Sequence, residues 1–362
     1  MTKLIHYISQ GSRIFLTSLK SRYKPKKYPG NAKEICQQVV NNCWNGRFFQ
    51  TSTTNFPQFW TRDFGWCTKS LLQLGYKEKV HQTLRYAIKR FQAAGKITTT
   101  ITPRGKPFDF PCPAVDSLPY LIHSIRLSSF PYQQHKSFLN RQVKMFFEEK
   151  ISPSGLVKTT QFSSMKDFSV RKSSCYDNCM VAMLANDLRA MKLKNPFEGT
   201  NYPSLIIKNF WNGNYFFDDL TKKEYVAGDA NIMPFVLGVI RDEDMLSSCL
   251  QEVQKAGLDH PFPLKYTNTD AQAEFVPEEF FLKNYEQDSI WTHMGLFYIK
   301  LLKEVKPSLA EKHHQTYTSL IERYGNYLEV FSANDSQVRP FRTKFYYCDQ
   351  GMLWAANYLT LQ

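Results

Sequence analysis

Acidic residues are missing from the start of this chain: residues 1–33 contain no Asp or Glu, and Glu34 is the first. Long apolar runs are missing throughout. None approaches the roughly 20 residues that cross a bilayer, which argues against an integral membrane protein. The apolar positions near the start (Leu4, Ile5, Ile8, Ile14, Phe15, Leu19) are broken by Ser9-Gln10-Gly11-Ser12-Arg13, which argues against a signal peptide. Residues 1–30 read instead as a basic arm packed on the domain that follows, with a transit peptide or membrane-surface helix as the competing reading. Metal-ligand spacing is also lacking. Of eight cysteines, Cys175 and Cys179 would share a helix face, but zinc needs two more ligands. They read as reduced core thiols of a cytoplasmic protein. His313-His314 reads as a surface pair on a helix, so neither metal nor cofactor is expected. The net charge of +14 comes from dispersed bases, apart from residues 22–33 and Lys222-Lys223. Without a basic stripe and aromatic platforms it excludes a nucleic-acid partner and leaves solubility or weak surface attraction.

What is present is a core and a repeat. Hydrophobic residues make up 43% of the chain and aromatics 15%, enough for a large buried interior. Six aspartates each precede an apolar stretch: Asp63, Asp116, Asp177, Asp229, Asp288 and Asp349, spaced 53, 61, 52, 59 and 61 residues apart. An Asp in that place is expected to cap a helix N-terminus, and recurrence at a near-constant period marks a repeat architecture. Inner, apolar helices are expected over 63–75, 116–127, 177–191, 229–240, 288–304 and 349–360. Outer, charged ones are expected over 31–45, 76–94, 132–149, 201–211, 243–257 and 307–331. Twelve helices in six hairpins close into an all-α (α/α)6 barrel. No linker interrupts the cycle, so residues 31–362 read as one domain. Connections from outer to inner helix are long (95–115, 150–176, 212–228, 258–287, 332–348), with a small β-hairpin expected near Lys96–Thr102. Long loops are usually functional, and these all stand on the aspartate face.

That face holds carboxylates, indoles and hydrogen-bonding side chains, the groups sugar chemistry needs. Inverting glycoside hydrolysis takes one protonated acid and one ionised carboxylate about 6.5–9.5 Å away. Asp167, Asp116 and Asp177 are the candidates for the acid. Glu329 is the candidate for the base, with Glu274, Glu278 and Glu279 behind it. Asp167 lies ten residues before the nearest cap, so capping does not explain it, and Met165 and Phe168 would raise its pKa by partial burial. Glu329 is expected at the end of an amphipathic helix, with Asn334 and Asp335 near enough to position a water. Trp60, Trp66, Trp291 and Trp354 can stack on sugar faces or serve the core, and His293 stands alone among apolar residues.

Several of these segments resemble known (α/α)6 glycosidases. Trp60-Thr61-Arg62-Asp63 resembles the Trp-x-Arg-Asp segment of glycogen-debranching glucosidases, which implies that Arg62 and Asp63 line the innermost sugar site. Ile290-Trp291-Thr292-His293 resembles their Trp-Pro-His-type segment, with Thr in place of Pro. Pro113-Ala114-Val115-Asp116-Ser117-Leu118 is similar to the acid-bearing stretch of neutral invertases. Tyr176-Asp177-Asn178 resembles the acid segment of trehalases, and Met165-Lys166-Asp167 the Trp-Met-Asp acid motif of debranching glucosidases without its Trp. Leu328-Glu329-Val330-Phe331 resembles the general-base segment of glucoamylases, invertases and trehalases. Across residues 40–360 the resemblance implies an exo-acting, inverting glycoside hydrolase acting on an oligosaccharide or glycoside. Asp167, Glu329 and Asp116 would then be catalytic candidates, and Trp60, Arg62, Asp63, Asp177, Trp291, His293 and Asp349 would bind substrate. A carbohydrate phosphorylase and a non-enzymatic carbohydrate- or protein-binding barrel are the alternatives. Oligomeric state is not legible.

Overall fold

A computed structural model describes residues 2–334 and 337–361 of the chain. The helices, in order, are α1 (Thr2–Tyr23), α2 (Ala32–Cys43), α3 (Thr61–Gln73), α4 (Lys77–Ala94), α5 (Ser117–Ser128), α6 (Lys136–Lys150), α7 (Cys175–Ala190), α8 (Tyr202–Phe210), α9 (Gly228–Val236), α10 (Glu243–Lys255), α11 (Thr292–Val305), α12 (Pro307–Tyr324) and α13 (Ala355–Leu359). From α2 onward they alternate outer and inner. Inner helices touch in a closed cycle: α3 on α5, α5 on α7, α7 on α9, α9 on α11, α11 on α13, and α13 back on α3. That closure is the (α/α)6 barrel.

The two layers differ for the reason their sequences give. Outer α4 buries Val80, Leu84, Ala87, Ile88 and Phe91 along one stripe and keeps its charges in water. Inner α7 is enclosed almost all round, from Cys175 through Leu188. Helix α2 begins with a capping box, in which Asn31 accepts from the Glu34 N–H and Glu34 accepts from the Asn31 N–H. All the cysteines except the exposed Cys112 are buried thiols of this core.

Short antiparallel sheets tie the long loops together. One joins β1 (Phe59–Trp60), β2 (Thr100–Ile101) and β3 (Pro107–Phe108), where a hairpin was expected. A second pairs β4 (Ser169–Val170) with β5 (Glu274–Phe275). The third joins β6 (Ile290–Trp291), β7 (Val330–Asn334) and β8 (Gln337–Pro340).

Four expectations need correction. Helix α12 stops at Tyr324, not 331, because Gly325 takes a left-handed φ of +59° that releases the chain into β7. The last inner helix is only Ala355–Leu359. Residues 350–353 are held by other loops, with the Gly351 N–H bonded to the Tyr327 carbonyl and the Leu353 N–H to that of Thr51. Gly351 itself needs a φ of +68° there. The six aspartates stand near the helix starts, but none supplies a side-chain cap; α7 is capped by Ser174. The carboxylates of Asp63, Asp116, Asp177, Asp229 and Asp349 turn instead to partners on other segments. Lastly, His313 is buried, 3.5 Å from Asp259, rather than on the surface.

Candidate active site

Strand β1 delivers the chain to α3, where the Thr61 N–H and hydroxyl bond to the Thr99 and Thr98 carbonyls. This fixes Arg62 and Asp63 at the mouth of the ring. The Arg62 guanidinium lies over the Trp66 ring at 5.3 Å, with Nη1 3.8 Å from Asp116 and Nε 4.0 Å from Asp63. Burial disfavours its charge, but the Asp116, Asp167 and Asp63 carboxylates more than restore it. Asp63 accepts from Trp354 Nε1 at 2.9 Å. Burial lifts it to about 6 against the pull of Arg62. Asp116 accepts from the Tyr176 hydroxyl at 3.1 Å and is lifted to about 7, again by burial first.

Behind Arg62 stands an aromatic box. His293 stacks on Trp66 with centroids 4.2 Å apart and planes 9° from parallel, and it meets Trp354 at 4.7 Å and Trp291 at 5.6 Å. Burial, aided by the Arg62 charge, drops its pKa well below the ordinary 6.5, so the ring is neutral. Among the described residues neither His293 nitrogen has a hydrogen-bond partner, and the same holds for Trp60 Nε1 and Arg62 Nε. Buried polar atoms are nearly always satisfied, so these four leave unmet hydrogen-bonding positions along one cleft, the kind a polar ligand can fill.

Two carboxyl groups approach this box on separate arms. Asp167 sits in the loop before β4, between Lys166 and Phe168. Lys166 is buried and bridges Asp218 and Asp229 at 3.2 Å each. Arg171 Nη1 meets the same two acids at 3.0 and 2.7 Å. Burial works against the Asp218 charge, yet the two cations hold it at about 2. On the other side Glu286 accepts the backbone N–H groups of Asp167, Phe168 (2.7 Å) and Ser169 (3.1 Å). Met165, two residues before Asp167, is held at a φ of +77°, a costly conformation for a non-glycine residue. Asp167 and Glu286 are both raised, by burial and, for Glu286, by the Asp167 charge. Two such neighbours cannot both ionise near neutrality, and the three N–H donors favour the charged form of Glu286. The Arg62 guanidinium likewise favours the charged form of Asp167, against the burial that raises it.

Glu329 occupies the other arm, between α12 and β7. It accepts from the Tyr285 hydroxyl (2.8 Å), the Tyr346 hydroxyl and the Asp349 N–H (2.9 Å). Burial is the main reason it rises to about 8; the charge of Asp349 adds to this and the three donors oppose it. Strand β6 pairs with β7 just beyond it, Trp291 opposite Val330, which locks Glu329 to the start of α11 and hence to His293. Asp335 and the side chain of Asn334 fall outside the described residues.

Trp60, Arg62, Asp63, Asp167, Trp291, His293 and Glu329 line one cleft of about 800 Å³, counted with its open mouth. Asp116 reaches it only through Arg62. Asp177 is taken up by Ser163 Oγ at 2.9 Å and the Ser164 N–H, and Asp349 by the N–H groups of Asn55 (2.7 Å) and Phe56 (3.2 Å). Both hold loops rather than face the cleft. Glu274 pairs with Lys223, and Glu279 accepts from the Asn284 N–H, away from the cleft. Glu286, Tyr285, Tyr346 and the Lys166–Arg171 clamp were not foreseen. Among the described residues no group of His, Cys, Asp and Glu is arranged to hold a metal ion.

No family model and no curated relative matches the chain. Solved structures do. The family 63 mannosylglycerate hydrolase of Thermus thermophilus, in complex with Tris and D-glycerate, is similar with a TM-score of 0.62 at 12% identity. The match covers 91% of this chain and 99% of that one. A glycosidase variant in complex with glucose also gives 0.62 at 12% identity, over 91% and 94%. A rhamnosidase from Klebsiella oxytoca with rhamnose bound gives 0.61 at 11%, over 92% and 65%. Likeness at such identity establishes the fold: this is a glycosidase-like (α/α)6 barrel.

Proposed function

We propose that the cleft binds a terminal sugar and hydrolyses its glycosidic bond with inversion. The observation that carries this reading is the set of orphaned donors and acceptors on Trp60, Arg62 and His293, placed between two carboxyl arms in one cleft. Asp167 gives its proton to the glycosidic oxygen as the bond to the anomeric carbon breaks. Glu329 takes a proton from a water that attacks the opposite face of that carbon, and the sugar leaves as the inverted hemiacetal. Arg62 and Asp63 hold ring hydroxyls, and the Trp66–His293 stack forms an apolar floor. Solved neighbours described as glycosidases and rhamnosidases support a carbohydrate substrate. Exo action is supported by α1, which runs past the cleft from loop 51–58 to residues 341–347 and contributes Ile14 to its wall. The buried thiols fit the cytoplasmic placement expected from the sequence.

The test is a panel of glucosides, mannosides and rhamnosides with the product anomer followed by NMR. Release of a monosaccharide of inverted configuration, lost in Asp167→Asn, is the expected result. A retained anomer would refute inversion. Phosphate-dependent turnover surviving in Glu329→Gln would assign a phosphorylase instead.

A further inference from the structure

Over its described side chains, residues 9–23, helix α1 is packed inside out. Ser18 and Ser21 are buried, whereas Phe15 is 39% exposed, Leu16 62%, Leu19 39% and Tyr23 75%. The buried side is tied down by polar contacts. Arg13 Nη1 donates to the Asn55 carbonyl at 2.6 Å, Ser18 Oγ to that of Tyr347 at 3.3 Å, and Arg22 to that of Thr343. A surface helix normally turns its apolar stripe inward and its polar face to water. Next to this stripe stand three more exposed aromatics, Phe280, Phe281 and Phe345. Phe281 meets Phe345 edge-on at 5.4 Å and Phe280 at 5.8 Å, so two separate loops join in one ridge. The groove along this ridge shares Ile14, Leu282 and Tyr346 with the active cleft. The ridge therefore borders the cleft's opening. An exposed apolar surface of this extent marks an interaction site.

Its charge indicates the partner. Lys20 is exposed on α1 and Lys24 just past its end, Lys283 follows Leu282, and Lys344 precedes Phe345. No acid occurs before Glu34, and Glu278 and Glu279 are the acids nearest to Phe281 in the chain. A second copy would bring like charge against like, since the chain carries +14 overall. Among the described residues no helix is long and apolar enough to cross a membrane. We propose that the ridge docks the protein on an anionic lipid bilayer. Phe15, Leu16, Phe281 and Phe345 enter the interface, and the four lysines meet the headgroups. The cleft then opens beside the lipid surface.

Flotation of the full chain with vesicles tests this, and it does not depend on whether the cleft hydrolyses a glycoside. Vesicles of equal parts phosphatidylcholine and phosphatidylserine should carry the protein upward, and phosphatidylcholine alone should carry little. Leu16→Ser with Phe281→Ser should lower the partition at least about tenfold, because two exposed apolar side chains are removed. Melting temperature should hold, since neither side chain is buried. Lys20→Glu with Lys24→Glu should lower it by a similar factor, and added salt should erase the difference between vesicle types. The proposal is overturned if the protein floats with neither vesicle at low salt, or if binding survives both pairs of substitutions. It is equally overturned if sedimentation velocity shows a dimer that Leu16→Ser with Phe281→Ser abolishes.

Discussion

The two carboxyl arms of the cleft are built from opposite materials. The Asp167 arm is pinned by full charges: Lys166 and Arg171 against Asp218 and Asp229, with Glu286 gathering the backbone beside it. The Glu329 arm is pinned by neutral donors, two phenols and one N–H. Charge on the first arm fixes the loop that carries Asp167, whose carboxyl is raised by burial and drawn back toward ionisation by Arg62. Donors on the second arm oppose the burial that lifts Glu329 to about 8, favouring the carboxylate form that the proposed base requires. Each arm is thus held rigid by its own kind of partner, ion pairs on one side and neutral donors on the other.

The comparison breaks most visibly if the two carboxyls are neutralised in turn. Asp167→Asn and Glu329→Gln should each lower turnover by about 10²–10⁴, the usual worth of a general acid or base. A leaving group that needs no protonation should rescue Asp167→Asn but not Glu329→Gln. Equal rescue of both would show that the arms have been assigned the wrong roles.

Stability should separate the arms next. Arg171→Met leaves Asp218 and Asp229 sharing Lys166 alone in a buried site. Removing one partner of a buried ion pair costs about 3–5 kcal/mol, so the urea midpoint should fall steeply. Lys166→Met should behave alike. A loss under about 1 kcal/mol, the range of surface pairs, would mean that water reaches the clamp.

The pH response follows from Glu329. In the proposed mechanism turnover needs its ionised form, so kcat/KM should fall about tenfold per unit as pH drops below about 8. Stability runs the other way. The folded value lies above the ordinary 4.5, so the unfolded chain sheds this proton first and stability declines as pH rises from 4.5 to about 8. In Glu329→Gln that part of the decline should vanish from a series of thermal melts.

Sequence reading reached the barrel because inner and outer helices differ in kind, one apolar all round and one striped. It reached Trp60, Arg62, Asp167 and Glu329 because each sits at a loop–helix junction or a short motif. It misread the aspartate caps by applying a local rule where distant partners prevail: Asp229 answers to Lys166 and Arg171, and Asp63 to Trp354. Glu286 was invisible for the same reason, since the backbone it holds lies more than a hundred residues earlier. No local spacing encodes such a contact. The early end of α12 was in principle legible, because Gly325 precedes the β-branched and aromatic Val330-Phe331.

The smallest effect tests the donor arm alone. Tyr346→Phe keeps the ring, with its edge-on packing against Tyr285 at 5.5 Å, and deletes the hydroxyl that donates to Glu329. One hydrogen bond to a buried carboxyl is worth about 1–3 kcal/mol. The loss should fall at the low end, because Tyr285 and the Asp349 N–H still donate. The more telling readout is the pH profile. Tyr346 helps hold the Glu329 value down, so without it the acid limb of kcat/KM should move to higher pH. Lost stability with an unmoved limb would make Tyr346 a packing residue only. An upward shift of the limb, with turnover preserved at the alkaline plateau, would identify the donor arm as the element that tunes the base.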